Sequence, residues 1–173
     1  MPAKKALILT ADNFEDSELL CPMYRLLEAG YAVDVAAPAA GKVRGKHGYE
    51  VAAGLAISEL TPAAAKDYAL LLLPGGKAPE AVRTIPQALE LAKAFDAAKK
   101  PIAAICHGPQ TLISAGIMKG RTATAYKTVQ PELTEAGAKT QDKEVVVDHN
   151  LVTSRQPGDI PAFNREMMRL LGA

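Results

Sequence analysis

Short apolar segments recur along the sequence, and they constrain its fold more than any other feature. Four of them are "KKALILT" (4–10), "YAVDVAAP" (31–38), "YALLLLPGG" (68–76) and "PIAAI" (101–105). Runs of this length and composition are typical of strands buried on both faces of a parallel sheet. Segments with apolar residues at helical spacing lie between them, at about 15–29 and 78–100. Strands alternating with helices predict an α/β sandwich, with helices on both faces of a mostly parallel sheet.

Further elements complete a single predicted domain that spans residues 1–173. The segment 41–54 has alternating β character between glycines, which predicts an irregular hairpin outside the main sheet. Pro86 divides the segment 78–100 into two predicted helices, and Pro22 is expected to distort the helix at 15–29. Toward the C-terminus we expect a strand near 122–126, a helix near 130–136, a hairpin at 144–155 and a final helix at 159–171.

Composition and charge argue against several classes of protein. The chain has 173 residues, and 20 Lys and Arg residues against 19 Asp and Glu residues leave a net charge of +1. This balance and the absence of tryptophan argue against a nucleic-acid-binding surface. No apolar stretch is long enough to span a membrane, and the N-terminal segment has no signal-peptide pattern. We therefore expect a cytoplasmic protein with no nucleic-acid or membrane partner.

The cysteines and histidines give no sign of a disulfide or a metal site. Cys21 and Cys106 are too few for a disulfide scaffold and are expected to be free thiols in a reducing compartment. The three histidines, His47, His107 and His149, have no metal-ligand spacing relative to the cysteines. We therefore expect neither a bound metal nor a cofactor.

The segment "PIAAICHGPQTL" (101–112) places Cys106 between the end of an apolar strand and the start of a helix. A strand that turns directly into a helix forms a sharp elbow, which raises the side chain at the turn above the sheet. The N-terminus of the helix favours the thiolate there. Gly108 and Pro109 suit such a turn and helix start. Cys106 is therefore predicted to be a reactive nucleophile; the alternative is a small buried core residue.

Partner groups for the thiol are expected in the neighbouring loops. His107 is the candidate base or acid, although adjacency in the chain does not decide whether its ring faces the sulfur. Candidates for a third group are Glu15, after the first strand, and Glu80, after the third core strand. A protonated Glu15 near the sulfur would stabilise the thiolate; alternatively it complements the dipole of the first helix. Glu80 is alternatively an ordinary acidic residue in a first helical turn.

The motif "PGG" after the third core strand suggests backbone donors for an oxyanion. Gly75 and Gly76 let the backbone approach a ligand closely. The N–H of Gly76 and an N–H at the elbow, that of His107, are the candidate pair. The alternative is a turn that requires positive φ. The following "GGK" is not part of a phosphate-binding loop, because that motif's spacing is missing.

Five segments in this order resemble the PfpI branch of the ThiJ/PfpI superfamily: "LTADNFEDSEL", "GKHGYEV", "LLLPGGKAPE", "AAICHGPQTLISAG" and "VVVDHNLVTSRQPGD". This branch includes intracellular cysteine peptidases and stress-related protein deglycases, on a fold similar to that of class I glutamine amidotransferases. The resemblance implies a flavodoxin-like three-layer sandwich with a nucleophile elbow.

The resemblance also implies roles for individual residues. Cys106 matches the nucleophile, His107 the adjacent histidine, and Glu15 the buried carboxylic acid that hydrogen-bonds the sulfur. Glu80 matches a glutamate that, in peptidase-like members, comes from a neighbouring subunit to complete a triad. The implied assembly is a homo-oligomer, with a dimer as its unit and a larger ring as an alternative. His149 departs from the family, whose hairpin usually carries glycine there.

Fold and nucleophile transfer across this superfamily, whereas the reaction does not. The expected function is a cysteine-dependent hydrolase of the stress-response type, acting on small carbonyl adducts or peptides. The alternative is a redox-sensing or chaperone-like stress protein, in which Cys106 is oxidised and not turned over.

Overall fold

The computed structural model describes residues 4–173, and its main sheet is mostly parallel. The strands of this part of the chain are β1 (Lys5–Leu9), β2 (Ala32–Ala37), β3 (Gly41–Arg44), β4 (Glu50–Ala53), β5 (Leu55–Ala56), β6 (Leu70–Leu73), β7 (Ile102–Ile105), β8 (Thr122–Ala123), β9 (Lys139–Thr140), β10 (Val145–Asp148) and β11 (Leu151–Ser154). Within residues 4–173, seven of them form one sheet in the order β10-β11-β7-β6-β1-β2-β5. All neighbours in this sheet are parallel except β10 and β11. The predicted sheet is confirmed.

Helices cover both faces of this sheet. In the described part of the chain they are α1 (Asp16–Glu28), α2 (Ala78–Val82), α3 (Pro86–Ala97), α4 (Pro109–Ser114), α5 (Gln130–Glu135) and α6 (Ile160–Leu170). The connection from β1 through α1 to β2 moves toward one edge of the sheet, and that from β6 through α2 and α3 to β7 moves toward the other. Because parallel crossovers are right-handed, these helices lie on opposite faces. This arrangement is the predicted flavodoxin-like three-layer sandwich.

The connections change direction at β1, which has β2 on one side and β6 on the other. A crevice opens at the carboxyl ends of the strands beside such a point. The loops after β1 and β6 meet there, since the Lys77 N–H donates to the Asn13 carbonyl at 2.8 Å and the Glu15 N–H donates to the Gly75 carbonyl at 3.2 Å. The turn after β7 lies beside them, because β6 and β7 are paired.

The strands beneath this crevice form the centre of the core. Every residue of β6 and β7 is buried, and the leucines of β6 are at most 1% exposed. Burying a leucine side chain contributes roughly 1.5–3 kcal/mol of transfer free energy. The crevice therefore stands on a rigid, close-packed platform. No helix within residues 4–173 has the length and apolar character required to cross a membrane.

Most of the remaining predicted elements are found, with two differences. The hairpin at 41–54 is confirmed as the antiparallel pair of β3 and β4 outside the main sheet, and Pro86 begins α3 as expected. Helix α1 continues through Pro22, whose missing N–H removes only the bond to the Glu18 carbonyl. The strand predicted near 122–126 ends at Ala123, because the next N–H, that of Thr124, donates to the Thr153 hydroxyl at 2.9 Å.

The tight turn between β10 and β11 gives a prediction for stability. His149 has a φ of 53° in this two-residue loop, a conformation that glycine adopts without steric cost. We expect His149→Gly to raise the free energy of unfolding by about 0.5–1 kcal/mol, because the strain of a left-handed residue is removed. Urea denaturation measures the change.

The matched control is His47→Gly. His47 is exposed and does not have positive φ. Glycine at such a position lowers the free energy of unfolding by roughly 0.5–1 kcal/mol through the entropy of the unfolded chain. Equal destabilisation of the two variants would contradict the strain at His149.

Candidate active site

Cys106 occupies the elbow between β7 and α4. Its φ is 62°, in the left-handed region that residues other than glycine rarely adopt. Neighbouring strands and loops hold it there: the Cys106 N–H donates to the Ser154 carbonyl at 3.0 Å, and its own carbonyl accepts the Tyr126 N–H at 3.0 Å. Backbone strain held in this way is concentrated at functional sites. The sharp turn from strand to helix that was predicted at Cys106 is confirmed.

Gly75 lets the loop after β6 pass close to this elbow. A Cβ atom there would lie 2.7 Å from the Cys106 Cβ and would also overlap the Glu18 carboxyl. We expect Gly75→Ala to lower the free energy of unfolding by about 1–3 kcal/mol, as overpacking does, and to slow alkylation of Cys106 by displacing these groups. Gly54→Ala is the control, because a Cβ on Gly54 meets no atom within 4 Å. Equal loss of stability in the two variants would contradict the close approach.

Glu18, on the inner face of α1, is the carboxyl group that contacts the Cys106 thiol. Glu18 is 0% exposed, and its Oε2 accepts the Gly75 N–H at 2.9 Å. Its Oε1 is buried without a hydrogen-bond partner among the described residues, beside the Cys106 thiol with which its protonation interacts. Glu18 is in register with the buried Pro22 and Leu26, so a carboxyl group inside the apolar stripe of α1 was the signal in the sequence.

The prediction that Glu15 reaches the sulfur is therefore wrong. Glu15 precedes the first turn of α1, and its carboxylate faces the β3–β4 hairpin. There it forms an ion pair with Lys46, accepts a hydrogen bond from the Ser17 hydroxyl at 3.2 Å, and lies 3.5 Å from His47 Nε2. Its position lets it hold the hairpin against the crevice.

The protonation of Glu18 and Cys106 is coupled by their contact. Burial raises the pKa of the Glu18 carboxyl to about 8, so this group is mostly neutral at pH 7. Burial also raises the pKa of the Cys106 thiol, and an ionised Glu18 would raise it further, whereas the N–H groups of Gly76 and His107 lower it. A neutral Glu18 removes the repulsion and supplies an O–H donor. A neutral Glu18 therefore raises the pKa of the thiol less than an ionised one would, and burial remains the largest cause of the shift.

The backbone donors near the sulfur are those of the candidate pair, Gly76 and His107. The N–H groups of Gly76 and His107 lie near the Cys106 sulfur, where they lower the pKa of its thiol. Gly75 does not belong to this set, because its N–H is already bonded to Glu18. Gly76 has a φ of 77° and forms a bridge with Phe14, which fixes the direction of its N–H. These two groups form a small anion-binding concavity.

His107 faces the sulfur, which its position in the sequence could not decide. Its Nδ1 lies 3.2 Å from the Cys106 Sγ, and its ring stacks on Tyr126 with 5.1 Å between the ring centroids. Burial lowers the pKa of His107, and the charge of Glu80 opposes this shift. Glu80 of the same chain lines the same cavity, but the described residues show no hydrogen bond between it and His107. Its role across a subunit interface stays a prediction.

A cavity of about 530 Å³ opens above these groups, which is large enough for a small ligand. Besides the groups already described, its walls include Lys46, Lys77, Gln156 and Pro157. Among residues 4–173, no group of three or more His, Cys, Asp or Glu side chains could hold a metal ion. The chemistry of the cavity is that of a thiol, a neutral carboxyl group, an imidazole and converging N–H groups.

Cys106 is raised on an elbow at the carboxyl edge of a parallel sheet and lies against a buried glutamate. These features define the class as α/β proteins with a cysteine at a nucleophile elbow. The chain belongs to the DJ-1/PfpI family, whose model matches residues 4–170.

Relatives are similar to it over nearly their whole length. Deglycase TK1284 of Thermococcus kodakarensis is 49% identical over 167 residues, covering 96% of this chain and 99% of the relative. Protein/nucleic acid deglycase 2 of Escherichia coli is 46% identical over 174 residues, covering 99% of each.

A solved structure supports the fold. It is a protein from Anabaena variabilis with a DJ-1/ThiJ/PfpI-like and a ferritin-like domain, and it matches with a TM-score of 0.93 and 34% identity. The match covers 98% of this chain and 48% of that protein, so this chain spans about half its length.

Proposed function

We propose that this protein is a cysteine-dependent hydrolase that removes small carbonyl adducts from amines and thiols. The observation that carries the proposal is the position of the Cys106 sulfur. It lies between the neutral Glu18 carboxyl, His107 Nδ1 at 3.2 Å, and the N–H groups of Gly76 and His107. The names of the relatives, which are called deglycases, support the choice of substrate class.

In this mechanism, Cys106 attacks the carbon that carries the oxygen of the adduct. His107 has a lowered pKa, so its neutral Nδ1 accepts the thiol proton as the C–S bond forms. The bond to the amine or thiol of the adduct breaks, and His107 returns the proton to this leaving group. Water then cleaves the C–S bond and restores the thiol. The N–H groups of Gly76 and His107 donate to the substrate oxygen in both steps.

The proposal also includes a role for Glu80 and the assembly of several chains. Glu80 orients His107, either from the same chain or from a neighbouring subunit, and the protein acts in the cytoplasm as a homo-oligomer. Glu80 is exposed at the cavity, so a neighbouring chain could present or receive it. Sedimentation of native protein and of Glu80→Gln, each with its turnover, tests this part. Loss of turnover with unchanged assembly is expected; unchanged turnover would remove Glu80 from the mechanism.

The substrate class is tested by comparing two kinds of compound. Methylglyoxal adducts of N-acetylcysteine and N-acetyllysine are followed against spontaneous decay in buffer, and a set of fluorogenic peptides is assayed in parallel. We expect the adducts to decay faster with the protein than in buffer. Cleavage of peptides alone would transfer the proposal to peptidase chemistry, and decay at the buffer rate would reject it.

Stabilisation of the Cys106 thiolate favours oxidation of this residue as a second candidate function. Cys21 is exposed and Cys106 is buried, so access alone predicts that peroxide reacts with Cys21 first. A thiolate stabilised by Glu18 and the N–H groups reverses this order. Peptide mass spectrometry after mild peroxide treatment measures it. Oxidation of Cys21 before Cys106 would contradict a redox-sensing role.

A further inference from the structure

A second cavity, larger than the one above Cys106, opens at the opposite edge of the sheet. Its volume is about 840 Å³, against about 530 Å³ at the cysteine. Pro101, just before β7, and Asn150, just before β11, line it. It therefore lies at the amino ends of the two strands whose carboxyl ends hold Cys106. Five residues of extended strand span roughly 16 Å, so the two cavities are separate.

One wall of this cavity is rigid because Arg121 is fixed in it. The Arg121 guanidinium donates to Asp96 Oδ1 at 2.7 Å, to Asp148 Oδ2 at 3.0 Å and to Asn150 Oδ1 at 3.0 Å. Asp148 also accepts the Thr122 N–H at 2.8 Å. The two carboxylates exceed the single positive charge of Arg121 by one, and the network joins three separate segments of chain. The wall is thus preorganised before any ligand binds.

The mouth of the cavity carries two lysines that form no ion pair with a described side chain. Lys99 and Lys119 are exposed, and neither forms an ion pair with a residue of the described chain. The side chain of His149 is 88% exposed beside them, and its Nε2 lies 3.5 Å from Asp148 Oδ1. In contrast, the interior includes the apolar side chains of Ile117 and Leu170. Positive groups at the mouth and apolar groups inside suit a ligand with an anionic end and an apolar body.

The backbone at this mouth is strained at two residues. Lys99 has a φ of 57° and His149 a φ of 53°, both in the left-handed region where glycine is favoured. Lys99 ends α3 and His149 begins the β10–β11 turn, so each place is one that glycine commonly fills. Here both carry a nitrogen-bearing side chain at the edge of one cavity. Retention of strained residues at a single site is typical of a functional surface.

We propose that this cavity is a binding site for a small organic anion. The apolar body of the ligand packs on Pro101, Ile117 and Leu170, and its phosphate or carboxylate group pairs with Lys99 and Lys119. The site is independent of the cysteine chemistry, because it shares no lining residue with the cavity above Cys106.

The test is a calorimetric titration of the full-length protein with 1-naphthyl phosphate and 1-naphthoate. Each probe combines an apolar ring with an anionic group; 1-naphthol and inorganic phosphate supply the two parts separately. We expect the phosphate or carboxylate probe to bind more tightly than either part, and to bind Cys106→Ser as it binds the native protein. The better of the two probes tells which anionic group the site prefers.

Variants of the two lysines locate the binding. Lys99→Gly relieves strain and Lys119→Ala changes an exposed side chain, so both proteins are expected to fold. The double variant should bind the probe about tenfold more weakly, as expected for the loss of charge-assisted contacts. Lys93→Ala is the control, because Lys93 lies on the exposed side of α3 and pairs with Glu90. Equal affinity of the double variant and the control, tighter binding of 1-naphthol than of the anions, loss of binding in Cys106→Ser, or no binding would each overturn the proposal.

Discussion

Replacing Cys106 by serine is expected to lower the turnover of methylglyoxal adducts by at least about a thousandfold. The serine hydroxyl has nearly the same size and keeps the backbone bonds to Ser154 and Tyr126. It does not ionise near neutral pH, and the groups around it are arranged for a thiolate. Initial rates of adduct decay, corrected for the rate in buffer, give the ratio.

Cys21→Ser is the matched control for this experiment. Cys21 is the other cysteine of the chain, and it is exposed on α1. We expect this variant to keep the native rate. A rate for Cys106→Ser within a few-fold of native would remove covalent catalysis, whatever the substrate. Loss of activity in both variants would indicate that folding or assembly is being measured and not the nucleophile.

Changing Glu18 is expected to have the second-largest effect, on the reactivity of Cys106. Glu18→Leu removes the O–H donor beside the sulfur, and alkylation of Cys106 by iodoacetamide at pH 7 should slow by about tenfold, the effect of one charge-assisted hydrogen bond. Glu18→Gln keeps a donor: its carbonyl can accept the Gly75 N–H while its amide N–H₂ faces the sulfur. Its rate at pH 7 should stay near the native one.

The pH dependence separates these roles. In the native protein Glu18 ionises at about pH 8, and its charge then opposes the thiolate. The alkylation profile should therefore change slope near pH 8, and Glu18→Gln should lack this change because its amide does not titrate. Cys106 peptides are quantified by mass spectrometry so that Cys21 does not contribute. The same change of slope in native protein and Glu18→Gln would assign it to another group.

The free energy of unfolding should also depend on the protonation of Glu18. The folded protein holds the Glu18 proton up to about pH 8, whereas the unfolded chain releases it near the ordinary value of 4.5. The folded state thus binds more protons between these values, and the free energy of unfolding falls as the pH rises across this window. Glu18→Gln should reduce this fall, which urea denaturation at pH 5 and pH 8 can show.

The sheet and the elbow were predictable because they depend on local patterns. Apolar runs of strand length indicate β1, β6 and β7, and the strand-to-helix junction at Cys106 follows from Gly108 and Pro109. The identity of the buried acid was harder to predict, because Glu15 and Glu18 lie on either side of the same helix start. The register of Glu18 with Pro22 and Leu26 was the one signal in the sequence, and the packing of α1 shows that Glu18 faces inward.

Two further features depend on contacts between distant segments. The direction of the His107 ring is decided by Tyr126, which lies nineteen positions further along the chain and stacks on it. The Gly75 N–H is not available to the sulfur because it is bonded to Glu18, which is 57 residues away. A pattern read along the chain contains neither contact.

The β3–β4 hairpin contributes Lys46 to the wall of the cavity above Cys106 although it lies outside the main sheet. It is tied to α1 by the Asp16 carboxylate, which accepts the N–H groups of His47 and Tyr49 at 2.9 and 3.0 Å, and by the ion pair of Lys46 with Glu15. The reacting groups stand on the sheet, whereas this wall stands on a separate hairpin. Evolution can therefore exchange the hairpin's sequence to admit a different substrate while the nucleophile and its support stay unchanged.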